Sequence, residues 1–160
     1  MTSVRVAVAE DARQIAKIWN CMITDTLVTF TTDLKSEEAI IADITTRTPA
    51  YLVAEHSGVV VGFATYAQFR GGTGYAATVE NTVMLTPLAR GMGIGRILMT
   101  ELQQIARDAG HHVMVAGISG ANPAAIRFHA ALGFVRVAHL PEVGRKWGRW
   151  LDLILMQKTL

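Results

Sequence analysis

At 160 residues and 51% hydrophobic composition, the chain is long enough to bury one sizeable core and reads as a single domain over residues 1–160. No apolar run approaches the ~18–20 residues of a membrane span, no basic-then-apolar leader is evident, and the single cysteine, Cys21, excludes an internal disulfide; a reducing cytoplasm is expected. The formal net charge of +2 suits an anionic cofactor and is too small to argue for a nucleic-acid partner.

Residues 4–8 alternate and predict a first strand. Asp11, with Gln14 three places on, has the form of a capping box opening a helix with Ile15, Ile18, Trp19 and Met22 at helical spacing. Cys21 shares that helix with apolar neighbours and reads as core. Residues 24–32 are β-branched without a clean period and read as a loop. Ser36 caps a short helix carrying Ile40, Ile41 and Ile44, which ends ahead of Pro49. Residues 51–56 and 59–68 predict strands joined at Ser57-Gly58 as a hairpin. A flexible loop over residues 70–74 leads into a long strand over residues 75–85.

After a glycine-rich turn, Ile94, Leu98, Leu102, Ile105 and Ala109 mark one face of a helix that stops at Gly110. Residues 113–118 form a short apolar strand, and Asn122-Pro123 open a helix that ends at Gly133. Residues 134–140 and 150–156 predict two last strands, linked by residues 141–149. This order predicts an α/β (α+β) mixed sheet, seven-stranded and mostly antiparallel, with about four helices on its two faces.

The turn is Arg90-Gly91-Met92-Gly93-Ile94-Gly95-Arg96. Alternate glycines leave amides free of side-chain bulk where a helix begins. Unpaired N–H groups and the positive end of the helix dipole then point the same way, which is a site for phosphate. Arg90 and Arg96 flank it with fixed charge. A P-loop would need Lys-Ser/Thr where Arg96-Ile97 stand, and a dinucleotide fingerprint would need a glycine at Arg96. The pattern Arg-x-x-Gly-x-Gly, as Arg90, Gly93 and Gly95, resembles the pyrophosphate loop of the GNAT superfamily of acyl-CoA N-acyltransferases. The order of elements is similar to that fold over essentially the whole chain. The resemblance implies acetyl-CoA as cosubstrate and no metal. Arg90, Gly91, Met92, Gly93, Ile94, Gly95 and Arg96 would cradle its diphosphate. The backbone of Val83, Met84 and Leu85 would pair with the pantetheine arm as an extra strand does.

Glu80 is a carboxylate within a strand of apolar and β-branched residues. Partly buried, it would have a raised pKa and suit proton abstraction, directly or through water; on the other face it would meet solvent. Thr78-Val79-Glu80-Asn81-Thr82-Val83, preceded by Phe69-Arg70 and Gly74-Tyr75, resembles the phosphinothricin and methionine sulfoximine acetyltransferase branch. That resemblance implies Glu80 as base and Arg70 and Tyr75 as contacts to an amino-acid substrate, the arginine pairing with a carboxylate or phosphinate.

Residues 117–126 resemble the branch's segment whose asparagine contacts the pantetheine, here Asn122, which can also cap the helix. In Phe128-His129-Ala130-Ala131-Leu132-Gly133-Phe134, His129 stands where most of the superfamily carries a tyrosine near the sulfur. Histidine can donate a proton near neutral pH, and a thiol of pKa about 8.5 leaves without much help, so His129 has a supporting role as acid or as packing. Residues 142–152 are similar to this branch, which implies a homodimer with Trp147 and Trp150 near the pocket or the dimer contact.

The function implied is acetylation of the α-amine of a small amino-acid-like substrate by direct attack in a ternary complex. Two other readings stay open: acetylation of a polyamine or protein N-terminus, and a catalytically silent acyl-CoA-binding regulatory module. His111-His112 are adjacent and cannot chelate one metal together. No nucleic-acid or membrane partner is expected.

Overall fold

The computed structural model describes all 160 residues. The elements in chain order are β1 (Thr2–Val6), α1 (Ala12–Asp25), α2 (Glu37–Arg47), β2 (Tyr51–His56), β3 (Val59–Gln68), β4 (Thr78–Leu85), α3 (Ile94–Asp108), β5 (Val113–Ser119), α4 (Pro123–Ala131), β6 (Val135–Lys146) and β7 (Arg149–Thr159). One seven-stranded sheet has the order β1-β2-β3-β4-β5-β7-β6. Only β4 and β5 run parallel; every other neighbouring pair is antiparallel.

Two cores lie on the two faces of this sheet. Tyr51, Val53 and Phe63 pack with Ile15, Ile18, Ile40 and Ile44 beneath α1 and α2. Leu52, Ala54 and Ala64 pack with Leu98, Met99, Leu102 and Ala106 of α3. Alternation along β2 therefore feeds both cores, which is why residues 51–54 are buried without a polar break. Each fully buried leucine or isoleucine contributes roughly 1.5–3 kcal/mol relative to exposure. The β2–β3 turn carries Ser57 at φ 52° and Gly58 at φ 79°, the left-handed pair a tight hairpin requires.

Several elements differ from expectation. β1 ends at Val6, so Ala7 and Val8 lie outside it. Asp11 does not pair with Gln14: its carboxylate accepts from the Val8 N–H at 2.8 Å and from Arg5, while Gln14 Oε1 accepts from Val60 N–H at 2.9 Å. Cys21 and Ala109 are exposed, and Ala106 takes the core position on α3. Ile41 is also turned outward. Tyr75 sits in a short 3-10 turn, and β4 begins only at Thr78.

The largest difference is in residues 141–149, which are not a linker. β6 runs on to Lys146 and turns at Trp147-Gly148 directly into β7. Pro141 is tolerated because β6 is an edge strand with a bulge there. Its register with β7 skips from Leu140 to Gly144, and the Glu142 N–H is taken by Asp152 Oδ1 at 2.9 Å. No helix is long and apolar enough to cross a membrane.

Candidate active site

The sheet forks. β4 pairs with β5 only through Thr78–Glu80 against residues 113–115. β4 then stays with β3 as far as Leu85, while β5 stays with β7 as far as Ser119. At the apex Asn81 donates from Nδ2 to the Val115 carbonyl at 3.2 Å, replacing with a side chain the bond the β4 backbone no longer makes. Past it, the β5-facing edge of residues 82–85 has no strand partner and is open to an extended ligand.

The fork opens into a cleft of about 560 Å³. One wall is Val83, Met84 and Leu85 of β4, residues 116–119 of β5, and Asn122, Ala125, Phe128 and His129 at α4. The other is Trp19 and Met22 of α1 with Thr26, Val28 and Thr29 of the segment after it. A second concavity of about 410 Å³ runs along Gly91, Gly93, Ile94 and Arg96. The two share Leu85, Arg90, Gly95, Ala124 and Phe128, so they form one channel from the glycine turn to the fork.

Within that turn the glycines do different work. Gly91 and Gly93 both have φ 77°, and a Cβ on either would meet open space, so their value is backbone conformation and bare amides. Gly93 caps α3 in the left-handed region and exposes the first amides of a 15-residue helix. Gly95 is a packing glycine: a Cβ there would stand 2.9 Å from Phe128 Cε1. The Ile94 side chain is buried in the core, so only its backbone can face a ligand. Met92 is exposed and lines neither concavity.

Glu80 lies four residues before Met84, which packs on the α1–α2 core, so the period of two puts both on that face of β4. Gly117 of β5 stands opposite. A Cβ on it would come 2.7 Å from Glu80 Oε2, so the bare glycine makes room for the carboxylate, which lies next to the cleft residues Asn81 and Gly117 without lining the cleft itself. None of the ion pairs involves Glu80, and burial pushes its pKa up from the ordinary glutamate value. A carboxylate whose charged form is disfavoured by burial is a better proton acceptor than an exposed glutamate.

His129 is 4% exposed, with Phe128 and Phe134 edge-on to it at 5.2 and 5.1 Å between ring centroids. Its Nδ1 donates to the Ala125 carbonyl at 2.8 Å, and Nε2 stands 3.3 Å from Asn81 Oδ1. Burial lowers its pKa from the ordinary histidine value, against the raising effect of the Ala125 bond. Asn122 Oδ1 accepts from the Ala125 N–H at 3.2 Å, capping α4 while also lining the cleft. Arg70 and Tyr75 lie together beyond the β3–β4 hairpin, the guanidinium 5.5 Å from the ring centroid; both are exposed and neither lines the cleft. Trp147 and Trp150 are exposed at 54% and 59% and also lie outside it. No group of three or more His, Cys, Asp or Glu side chains is placed to hold a metal.

Sequence reasoning missed Asn81, Gly117 and the α1 wall. An asparagine inside a strand is itself a signal, since strands are depleted in it. Trp19 and Met22 read as core; Met22 is buried and Trp19 half-buried, and that both also line a cleft shows only once the fork is seen.

A forked sheet whose open edge leads to a helix start rich in bare amides can take an extended ligand that ends in a phosphate. The family is given directly by comparison: residues 15–134 match the model of the acetyltransferase (GNAT) family, and the chain belongs to it. The L-amino acid N-acyltransferase MnaT of Escherichia coli K12 is 42% identical over 161 residues, spanning 99% of this chain and 94% of its own. An L-methionine sulfoximine/L-methionine sulfone acetyltransferase of Salmonella typhimurium is 49% identical over 109 residues, 68% of this chain and 64% of its own. A phosphinothricin acetyltransferase of Sinorhizobium meliloti, solved with acetyl-CoA, superposes with a TM-score of 0.93 at 37% identity, covering 99% of this chain and 88% of that one.

Proposed function

We propose that residues 1–160 work as one N-acetyltransferase domain that takes acetyl-CoA and acetylates the α-amine of a small amino-acid-like substrate of the methionine sulfoximine, methionine sulfone or phosphinothricin type. The observation that carries this is the fork: a channel from the glycine turn ends at Asn81 and Gly117, and behind that lining Glu80, with its raised pKa, faces Gly117 across two diverging strands. The donor and acceptor classes are supported by the relatives named above.

Arg90, Arg96 and the amides of residues 91–96 hold the donor's diphosphate. The open edge of Val83, Met84 and Leu85 aligns its arm, and Asn122 contacts that arm from α4. The Leu85 N–H, on the open edge of β4 while that of Met84 points to β3, stabilises the charge that develops on the thioester oxygen. The acceptor amine attacks the thioester carbon directly; its nitrogen forms the C–N bond, the C–S bond breaks, and the proton passes to Glu80 through water. Solvent or His129 returns a proton to the thiolate. Nδ1 of His129 is committed to the Ala125 carbonyl, so any proton it gives the thiolate comes from Nε2, which faces Asn81 Oδ1 at 3.3 Å. Arg70 and Tyr75, exposed together outside the cleft, are not assigned a contact to the substrate carboxylate.

A homodimer is supported by the apolar surface of the β6–β7 hairpin, where Val143, Trp147 and Trp150 are 57%, 54% and 59% exposed. Cytoplasmic placement is supported by the lone unpaired cysteine.

The test is thiol release from acetyl-CoA with free L-amino acids, methionine sulfoximine, methionine sulfone and phosphinothricin, with product mass as readout. Turnover with these, and none with their N-blocked forms, is expected. Preference for polyamines or peptide N-termini would overturn the substrate class. Binding without turnover on any amine would overturn the enzyme reading.

A further inference from the structure

Lys146 ends β6 and is only 2% exposed, yet it takes part in none of the ion pairs. Its ammonium spends all three protons on one segment: Thr26 O at 2.8 Å, Thr29 O at 3.0 Å and Thr29 Oγ1 at 3.1 Å. The Trp147 ring covers it, 4.7 Å from nitrogen to centroid. Two residues earlier on the same face of β6, Gly144 leaves the space that the Phe30 ring fills; a Cβ there would stand 2.5 Å from Phe30 Cδ2. At its other end the segment is tied to α1, where Thr26 Oγ1 donates to Met22 O at 2.6 Å.

The residues held this way are cleft residues. Thr26, Val28 and Thr29 line the cleft and take no part in the concavity along the glycine turn. Burying a cation against neutral acceptors is expensive, and burial pushes its pKa below the ordinary lysine value. A methionine would fill the space more cheaply but leave the Thr26 and Thr29 carbonyls without partners.

We propose that Lys146 is a positioning residue for the acceptor side of the active site, clamping residues 26–30 through its three hydrogen bonds, with the Gly144–Phe30 contact as a second clasp. The proposal rests on reading this cleft as the amine site. The clamp sets where the amine's side chain is received and leaves the donor's diphosphate site untouched.

The experiment compares wild type with Lys146→Met in three readouts: the KM of an accepted amino acid, acetyl-CoA affinity by calorimetry, and hydrogen exchange of residues 26–30. Losing charge-assisted bonds on the wall predicts an amine KM raised about tenfold or more, with faster exchange confined to that segment. Acetyl-CoA affinity stays within about twofold. If Lys146→Met does not fold, Thr29→Val, which removes one acceptor and keeps the shape, gives the same pattern at about threefold. An unchanged amine KM with unchanged exchange overturns the clamp, and so does a parallel loss of acetyl-CoA affinity. If the wild type acetylates no amine, the functional reading fails, and the exchange measurement still decides the clamp.

Discussion

Gly117→Ala isolates the carboxylate at the fork. The added Cβ would stand 2.7 Å from Glu80 Oε2 and 3.7 Å from Leu153 Cδ1, so the carboxylate is the one close neighbour. Ordinary contact begins at 3.4 Å, which leaves Glu80 about 0.7 Å to give. The obstacle is the end of a flexible side chain, so backbone and core need not move, and unfolding free energy should change by less than about 1 kcal/mol. Catalysis is less tolerant, because a misplacement near 1 Å costs about a hundredfold. The expected result is kcat/KM reduced about 10- to 100-fold with acetyl-CoA affinity intact. A double-mutant cycle decides the cause: if Gly117→Ala acts by displacing Glu80, it adds little to Glu80→Gln. Steady-state kinetics on the four proteins, with thermal melts, make the measurement. Full additivity, or wild-type activity in the single variant, would refute the reasoning.

Glu80→Gln should lower kcat by roughly 10²–10⁴-fold and remove the acidic limb of the kcat/KM profile, which in the wild type falls as pH drops through the raised Glu80 pKa. Because that pKa is raised by burial, ionised Glu80 weakens the fold as pH rises through it, so the glutamine variant should melt higher at neutral pH. Gly93→Ala places a side chain at φ 77°, a strain of roughly 1–2 kcal/mol, and calorimetry should show weaker coenzyme A binding with only a modest fall in Tm. For Asp11, burial raises the pKa, but the bonds from Arg5 and the Val8 N–H outweigh it and hold the pKa low. Its stabilisation is present above the unfolded pKa and lost as pH falls through the folded one. Asp11→Asn should therefore cost stability at pH 7, and the cost should shrink on acidification.

Elements defined by local chemistry were legible in the residues alone. Ser36 accepts from the Ala39 N–H as a cap, Ser57-Gly58 makes the tight turn, and Asn122-Pro123 opens α4. The glycine turn and Glu80 were legible for the same reason, since bare amides at a helix start and a carboxylate in an apolar strand are local anomalies. What depended on distant partners was not. Asp11 looked like a cap until Arg5 and Val8 claimed its oxygens. Pro141 looked like the end of a strand because its tolerance comes from a bulge set by Asp152. Lys146 carries no local sign of its burial, because its acceptors lie 117 and 120 residues away. The fork itself leaves no mark on β4 beyond Asn81, since divergence is a relation between two strands.

The most direct test is a crystal structure with the non-transferable thioether analogue of acetyl-CoA. The expected density has the diphosphate on the amides of residues 91–96, the arm along Val83–Leu85, and the acyl oxygen at the Leu85 N–H within reach of Glu80 through one water. A diphosphate seated away from the glycine turn, or an acyl group outside the fork, would contradict the assignment of this site.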